Sequence, residues 1–226
     1  LYDTDHIPAY AKEGKPISGF YLYRTDGIFQ SDAEAEAWNA EHGTIVIVNG
    51  KEEWVGIQPN AKAGDIRFKD LDNNGVLDED DKEYCGTGIP KFETNLNFSA
   101  SYKGFDLSFS LSGVFGHKIY NGNRYFYESM NGDPNGNSRE SERFLENGSF
   151  VRLRQAQIGY TLPVSLLKKV KIEKLRFYIS GDNLFTITGY SGVDPEFSTS
   201  SPLNSGVDRY IYPFTRSYTV GAQLTF

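Results

Sequence analysis

The sequence predicts an all-β protein, an antiparallel transmembrane β-barrel segment with long extracellular loops, and three observations support this fold class. Several segments alternate apolar and polar residues with period 2, which is the period of β side chains. The apolar face of these segments carries no charged residue, and the connections between them alternate between long and short. A soluble sheet places Lys and Glu on its outer face, whereas a membrane barrel turns its apolar face to lipid and lines its lumen with polar residues.

The C-terminal stretch 218–226 shows this alternation most clearly. One face is apolar and holds Tyr218, Val220, Ala222, Leu224 and Phe226. The other face is small or polar and holds Thr219, Gly221, Gln223 and Thr225. The alternative for this stretch is the last strand of a soluble sandwich, but the absence of charge on both faces favours a strand in a membrane.

Two further strands are predicted over 92–102 and 105–115, joined by a tight turn at Lys103 and Gly104. Both alternate along their whole length, with Phe, Leu, Ala and Tyr on one face and mainly Ser and Asn on the other. Each has about the 9 to 11 residues that a tilted strand needs to cross the hydrocarbon. A cation on the apolar face would cost roughly 2 to 4 kcal/mol at the midplane, so the absence of charge there supports a lipid-facing surface.

The remaining strands are predicted over 151–162 and 175–185. In the first, the apolar phase changes near Arg154, which predicts a β-bulge with one extra residue. The alternative is a strand that begins only at Gln155. In the second, Asn183 is the one polar residue on the apolar face.

The lengths of the connections give an independent argument for a barrel. Outer-membrane barrels alternate short periplasmic turns with long extracellular loops. The predicted connections cover residues 30–91, 103–104, 116–149, 163–174 and 186–215. With the C-terminus in the periplasm, every long connection falls outside the cell.

Residues 1–91 are predicted to contain a lead-in, a strand and an extracellular insertion, whose helix and hairpin form a small decoration that projects from the sheet. Residues 1–18 form an irregular lead-in, and 19–29 form a strand that runs into a turn at Asp26 and Gly27. The spacing of Ser31 and Glu34 is that of a capping box, which predicts a short helix that stops at Gly43. The chain thus divides into the lead-in over 1–18, a strand plus an extracellular insertion over 19–91, and the transmembrane strands over 92–226.

A β-hairpin is predicted directly after this helix. Residues 44–48 and 51–55 form its two strands, and Asn49 with Gly50 forms a type I′ turn, since both positions of that turn need positive φ.

The stretch 70–81 has the spacing of an EF-hand calcium loop, with oxygen donors at positions 1, 3, 5, 7, 9 and 12 and Gly75 at position 6. The predicted ligands are Asp70, Asp72, Asn74, the Val76 carbonyl, Asp78 and Asp81. Aspartate replaces the usual bidentate glutamate at position 12, so we expect altered coordination. The alternative is an acidic, solvated turn without metal. A bound Ca²⁺ would hold an extracellular loop together and would not catalyse a reaction.

Composition excludes several classes of function. The formal charge of −7 and the absence of basic clusters argue against nucleic-acid binding. No run approaches the roughly 20 apolar residues of a membrane helix. No catalytic motif occurs, and no carboxylate pair lies in an apolar setting that would separate its pKa values, so we do not expect an enzyme. The single Cys85 is interpreted as a packed small residue.

The long loop over 116–149 combines aromatic rings with amides and an arginine, side chains that suit a sugar or the anchor residues of a protein interface. The candidate contacts for a ligand or for a lid protein are Tyr120, Arg124, Tyr125, Tyr127 and, from the next long loop, Tyr190. Packing within the loops is the alternative for all five.

From Gly19 onward the chain contains an ordered set of short motifs. They are 23–30 (YRTDGIFQ), 58–70 (QPNAKAGDIRFKD), 102–107 (YKGFDL), 150–153 (FVRL), 159–163 (GYTLP), 180–185 (SGDNLF), 194–196 (DPE), 212–213 (YP) with Arg216, and the closing Phe226. Each motif alone is weak, but in this order they specifically resemble one family, the SusC/RagA type of TonB-dependent outer-membrane transporter of Bacteroidota.

The resemblance implies that the chain is the C-terminal part of a larger barrel of about 22 strands. It also implies an importer of oligosaccharides or oligopeptides, in which a SusD-like lipoprotein forms a lid and TonB acts through a plug domain upstream of this chain. A few strands cannot enclose a plug, so this segment alone is not expected to transport. The alternatives are a soluble calcium-binding β-sandwich that binds glycans, and a barrel that signals without importing.

Overall fold

The computed structural model describes residues 9–129, 136–168, 172–197 and 202–226. β-Strands are the dominant regular structure among these residues. The strands, in chain order, are β1 Ala9–Tyr10, β2 Gly19–Tyr23, β3 Thr25–Ile28, β4 Gly43–Val48, β5 Lys51–Gly56, β6 Ile66–Phe68, β7 Lys82–Thr87, β8 Phe92–Tyr102, β9 Phe105–Phe115, β10 Lys118–Asn121, β11 Leu145–Asn147, β12 Phe150–Thr161, β13 Lys174–Thr188, β14 Val207–Asp208 and β15 Ser217–Thr225.

Helices are few and short. They are α1 Asp32–Glu41, α2 Gly122–Ser129, α3 Val164–Leu167, and single 3₁₀ turns at Glu79–Asp81, Glu142–Phe144 and Pro202–Asn204. None of the described helices has the length and apolar character needed to cross a membrane.

The chain forms two compact units. The first, unit 1, comprises Leu1–Ile89, Lys118–Glu146 and Ser198–Ile211, and the second, unit 2, comprises Pro90–His117, Asn147–Phe197 and Tyr212–Phe226. The long loops predicted at 116–149 and 186–215 therefore contribute to unit 1 as well as to unit 2.

Unit 2 contains one antiparallel sheet of five strands in the order β15-β13-β12-β9-β8. Strands β8 and β9 pair along their full length, from Phe92 opposite Phe115 to Tyr102 opposite Phe105. Lys103 and Gly104 form the tight turn between them with positive φ angles of 48° and 88°. The all-β fold class, these two strands and their turn are confirmed.

The predicted bulge in β12 is also confirmed. The register of β12 shifts between Leu153 and Gln155 against both β9 and β13, so Arg154 is the extra residue. The alternative strand start at Gln155 is wrong, because β12 begins at Phe150. Asn183, the polar exception on β13, lies at the matching irregularity with a φ of 51° and donates a hydrogen bond to the Thr215 carbonyl at 3.1 Å.

The two ends of this sheet differ in the lengths of their connections. Strands β8, β12 and β15 begin at the end where β9 and β13 stop, because neighbours in the sheet are antiparallel. At this end, residues 116–149 and 189–216 link the strands, while the opposite end has the 103–104 turn and the connection over 162–173. The alternation of long and short connections predicted for a barrel is present in the sheet.

The described residues of unit 1 form four small sheets: β1-β2-β7, β11-β10-β14, β3-β6 and the hairpin β4-β5. Its main core brings together residues from all three of its chain segments, namely Ala9, Phe20, Leu22, Tyr120, Phe144 and Val207. Cys85 packs against this core as interpreted from the sequence, and burial raises the pKa of its thiol. A second cluster comprises Tyr23, Ile57, Phe68 and Leu77.

The prediction for residues 19–29 was wrong in its detail. The segment forms two strands in different sheets, β2 with β1 and β7, and β3 with β6, and neither belongs to the five-stranded sheet. Asp26 and Gly27 lie within β3, where the positive φ of Gly27 accompanies an irregular pairing with β6. The sequence pattern over 19–29 predicts one strand because the change of partner strand at Arg24 leaves no break in that pattern.

The predicted helix and hairpin are confirmed, with a different helix end. The Ser31 hydroxyl accepts a hydrogen bond from the Glu34 backbone at 3.1 Å, and the Glu34 carboxylate accepts one from the Gln30 backbone at 2.7 Å. The helix ends at Glu41 through an extended His42, so Gly43 is the first residue of β4 and not a helix stop. A side chain at Gly43 would collide with the Val55 carbonyl of β5.

Candidate functional site

The five-stranded sheet has two chemically different faces. The outer row, which carries the alternating apolar residues, remains largely exposed. Its members include Leu96, Phe98, Leu107, Ile158, Phe177, Ile179 and Val220. No second sheet covers this row within the described residues, which is inconsistent with a soluble sandwich that would bury it.

The inner face of the same sheet carries a polar arrangement that depends on Gly159. The Arg176 guanidinium reaches diagonally across β12 to the Asp106 carboxylate of β9, with Nε–Oδ1 and Nη2–Oδ2 distances of 2.9 and 2.5 Å. Gly159 lies between them, and a Cβ there would approach both side chains within 2.7 Å. A bidentate pair of an arginine and a carboxylate is a strong, directional interaction. Glycine is needed at position 159 so that the pair can lie flat across β12.

Tyr178 lies over Gly221 in the same manner. The two residues are opposite each other on β13 and β15, and a Cβ at Gly221 would collide with the Tyr178 ring. The Arg176 guanidinium lies 5.1 Å from the centre of that ring. The inner face of the sheet is therefore lined by polar side chains that lie flat against its strands, as expected for the lumen side of a barrel.

Among the described residues of unit 2, the most buried charged side chain is that of Arg152, which is 2% exposed. It forms part of the Arg152 cluster, which we define as Arg152, Arg154, Asp194 and Glu196. Arg152 pairs with Asp194, and its Nη1 lies 2.9 Å from Glu196 Oε2. Its Nε donates to the Thr186 hydroxyl at 2.8 Å. Two cations and two carboxylates compensate one another, which is the condition for burying charge.

The β12 bulge gives the cluster its second cation. Arg154 is the extra residue, so it projects to the same side as Arg152, and it donates to Glu196 at 2.5 Å and to the Ser112 hydroxyl at 2.8 Å. Asp194 also accepts hydrogen bonds from the backbone of Glu196 at 2.9 Å and of Phe214 at 3.1 Å. The cluster thus anchors the connection between β13 and β15 to the strand wall.

The acidic loop, residues 70–81, brings three of the predicted calcium ligands together. Carboxylate oxygens of Asp70, Asp72 and Asp81 lie within 4.8 Å of one another. Asp81 is fully buried, and this burial raises the pKa of its carboxyl group. Carboxylate oxygens are the type of ligand that Ca²⁺ takes in proteins.

The other predicted ligands shape the loop. Asn74 Oδ1 accepts a hydrogen bond from the Val76 backbone at 2.8 Å, and Asp78 caps the 3₁₀ turn that leads to Asp81. Gly75 has a φ of 81° and lies so close to the Gly43 carbonyl that a side chain would collide with it. The loop therefore makes a sharp turn at Gly75 and contacts the start of β4, and its role as a calcium loop stays a prediction.

The five candidate ligand or lid contacts occupy different environments. Tyr120 is buried in the unit 1 core, where burial raises the pKa of its hydroxyl well above the usual value, and Tyr125 packs edge-on against Phe144. Tyr190 is buried in unit 2. Arg124 pairs with Glu128 at 2.7 Å and donates to the Arg143 carbonyl. The contact role of these residues stays a prediction. Because the rings of Tyr120 and Tyr190 are buried, they can hold neighbouring residues of a site in place but do not present a surface to a ligand.

Tyr127 is the one member of this set with a widely exposed ring, at 64%. The neighbouring Phe126 makes an edge-on contact with Tyr210, at 5.6 Å between ring centres, and both are partly exposed. The Tyr210 backbone donates to the Asn123 side chain at 2.9 Å. Sequence reasoning did not place these rings together, because Tyr210 lies 83 residues after Tyr127 and 84 residues after Phe126. An exposed aromatic surface in unit 1 therefore comprises Phe126, Tyr127 and Tyr210.

Sequence reasoning also missed the Arg152 cluster and the roles of Gly159 and Gly221. The sequence does contain a signal for the cluster, because Arg152 and Arg154 lie at the change of apolar phase in a predicted strand that is otherwise uncharged. An arginine that is buried in such a strand requires a carboxylate partner.

Comparisons with known proteins agree with this geometry. No family model matches the chain. Over 95% of its length the chain is 30% identical to TonB-dependent receptor P3 of Formosa agariphila, of which it covers 23%. Over 74% of its length it is 28% identical to TonB-dependent receptor SusC of Bacteroides thetaiotaomicron, of which it covers 18%. The chain therefore spans about a quarter or less of the curated relatives it matches.

The fold has counterparts among solved structures. The RagAB peptide importer in its closed-closed state matches 100% of this chain with a TM-score of 0.66 and 24% identity, and the chain covers 25% of that one. A second structure, of the RagAB peptide transporter, matches 97% of the chain with a TM-score of 0.62. At this identity the likeness establishes the fold alone, and it agrees with an apolar outer row and a polar inner face. Together with the named relatives, it confirms the resemblance: the chain is similar to part of the TonB-dependent receptors of the SusC/RagA type and has the fold of a segment of their β-barrel.

Proposed function

We propose that the chain is the C-terminal barrel portion of a SusC-like, TonB-dependent importer of oligosaccharides or oligopeptides in the outer membrane of a Gram-negative bacterium. The observation that carries the proposal is the five-stranded sheet, with an uncharged apolar row on one face and polar groups held flat on the other. This arrangement suits a wall between lipid and an aqueous lumen. The names of the relatives, as receptors and a peptide importer, support transport and give no support for an enzyme.

The proposed partners follow from the same relatives. A SusD-like surface lipoprotein would cover the extracellular end, and TonB would act through a plug domain in the part of the receptor outside this chain. The exposed aromatic surface of Phe126, Tyr127 and Tyr210 is a candidate contact for a substrate or for the lipoprotein, since aromatic rings present large contact areas at interfaces.

The proposal is tested by deleting the receptor gene in its host and growing the cells on single glycans and peptide mixtures as carbon sources. We expect growth to be lost on one class of nutrient and restored by the intact gene. A strain without TonB should show the same loss. Normal growth on every nutrient, together with loss of a transcriptional response to one of them, would instead identify a barrel that signals without importing.

We also propose that the acidic loop binds one structural Ca²⁺ ion, through Asp70, Asp72 and Asp81 with Asn74, Asp78 and the Val76 carbonyl as further oxygen donors. The convergence of three carboxylates, one of them buried, supports the proposal. Bound calcium would fix the loop against the start of β4 and would take no part in transport chemistry.

Calcium titration of the intact receptor by isothermal calorimetry tests this site. We expect Asp70→Ala and Asp81→Ala each to remove one binding event or to weaken it at least about tenfold, since each removes a charged ligand. Asp80→Ala is the matched control, because Asp80 is exposed in the same loop and outside the proposed ligand set. Unchanged binding in both ligand variants would refute the assignment.

A further inference from the structure

The hairpin β4-β5 presents an apolar face that nothing in the described part of the chain covers. Ile45, Ile47 and Trp54 are 61%, 76% and 53% exposed. Ile45 is directly opposite Trp54, and residues two apart on a strand share a face, so the three side chains lie together. We call this surface the hairpin face.

Packing against the described residues of unit 1 leaves these three side chains exposed. Helix α1 covers only the end of the hairpin away from its turn, where Trp54 Nε1 donates to the Asn39 carbonyl at 3.0 Å and Asn39 lies against Gly56. The opposite face of the hairpin is better covered, since Val46 and Val55 are partly buried. An isolated two-stranded hairpin is only marginally stable, and a cluster of large exposed apolar side chains marks an interaction surface.

Charge around the hairpin face restricts what can bind there. Residues 32–56 contain six acidic residues and one lysine. Glu52 is directly opposite Ile47 and therefore lies on the hairpin face itself. Anionic lipid headgroups would be repelled by this border, since membrane surfaces recruit basic segments. A second copy of the same face related by a two-fold axis would place acidic border against acidic border. A protein surface with an apolar centre and a rim of Lys and Arg is complementary to it.

We propose that the hairpin face is a docking surface for the SusD-like lipoprotein, which contacts it through an apolar patch bordered by basic residues. This inference rests on the proposed function, because the lipoprotein is the protein partner that function requires. Ile47 lies at the centre of the contact, and Glu52 supplies charge that complements the basic rim.

Site-specific photo-crosslinking in the intact receptor tests the contact. p-Benzoylphenylalanine is introduced at Ile47 or, as a matched control, at Glu53, which is exposed on the opposite face of the same strand pair. We expect light to crosslink position 47, and not position 53, to the lipoprotein that co-purifies with the receptor. A crosslink from position 47 to the receptor itself, to lipid or to a second copy of the receptor would overturn the proposal, as would no crosslink.

Charge reversal tests the complementarity separately. Glu52→Lys should weaken binding of the purified lipoprotein to the receptor about tenfold and should reduce its dependence on salt, whereas Glu53→Lys should leave both unchanged. Equal effects of the two variants would overturn the proposal. Absence of any lipoprotein from the purified receptor would contradict the proposed function as well, whereas a co-purifying lipoprotein that position 47 does not reach would overturn the docking surface alone.

Discussion

Replacement of Arg152 by methionine is expected to destabilise the intact receptor by about 3 to 5 kcal/mol, the cost of removing one partner from a buried ion pair. Methionine keeps much of the side-chain volume, so the loss comes from charge. Asp194 would retain its hydrogen bonds from two backbone N–H groups but would lose its cation, and Glu196 would keep only Arg154.

Arg154→Met is the matched control for this experiment. Arg154 shares the Glu196 partner but is more exposed, so solvent screens its pairing, and its loss should cost about 1 kcal/mol or less. Unfolding of the purified receptor in guanidinium, followed by the β-sheet circular dichroism signal, gives the comparison. If the two variants were equally stable, the cluster would not anchor the connection between β13 and β15 as described.

The double variant Arg152→Met, Asp194→Leu adds a sharper test. Removal of both charges avoids leaving an uncompensated buried carboxylate, so it should be less destabilising than Arg152→Met alone. A double variant that loses the sum of the two single effects would indicate that the residues act independently, contrary to their direct contact.

Leu107→Lys is the second substitution with a large expected effect. Leu107 lies on the outer row of β9, between β8 and β12, and a lysine there would meet hydrocarbon. The expected cost is about 2 to 4 kcal/mol near the midplane and less toward the interfaces. Ser108→Lys, one residue further on the inner face, should cost less than about 1 kcal/mol because the lysine would extend into an aqueous lumen.

Folding yield into lipid vesicles and unfolding free energy in urea report this difference. Similar costs for both lysines would mean that β9 has no lipid-facing side. A larger cost at Ser108 would reverse the assignment of the two faces.

Local sequence rules predicted those elements whose structure depends on neighbouring residues. The period of 2 located β8 and β9, positive-φ residues located the turns at Lys103 and at Asn49, and a shift of phase located the bulge at Arg154. Each signal lies within one strand or one turn, so no knowledge of distant contacts was needed.

Features that depend on contacts between distant residues could not be predicted in this way. Tyr120 and Val207 are 87 residues apart, yet they face each other in the parallel pair β10-β14 and share the unit 1 core. The strand predicted over 19–29 is interrupted at Arg24 because β2 and β3 pair with strands of different sheets. The residue pattern over 19–29 does not distinguish these partners. Burial of Tyr120 and exposure of Tyr127 follow from the same assembly of unit 1.

The Arg152 cluster lies between these two cases. The bulge that aims Arg154 was visible in the sequence, but its carboxylate partner Glu196 is 42 residues away in a connection without periodicity. Gly159 and Gly221 are similar, because their importance arises from side chains on neighbouring strands.

The central claim is that the outer row of the five-stranded sheet faces lipid and the inner face lines an aqueous lumen. Nitroxide labels placed one at a time at residues 105–115 of the intact receptor in vesicles test it, with accessibility to dissolved oxygen and to a water-soluble nickel chelate measured at each position. The account predicts an alternation of period 2, with high oxygen accessibility at Phe105, Leu107, Phe109 and Leu111 and greater nickel accessibility at the positions between them. Low accessibility to both reagents along the outer row would show instead that protein covers it, and would contradict the account.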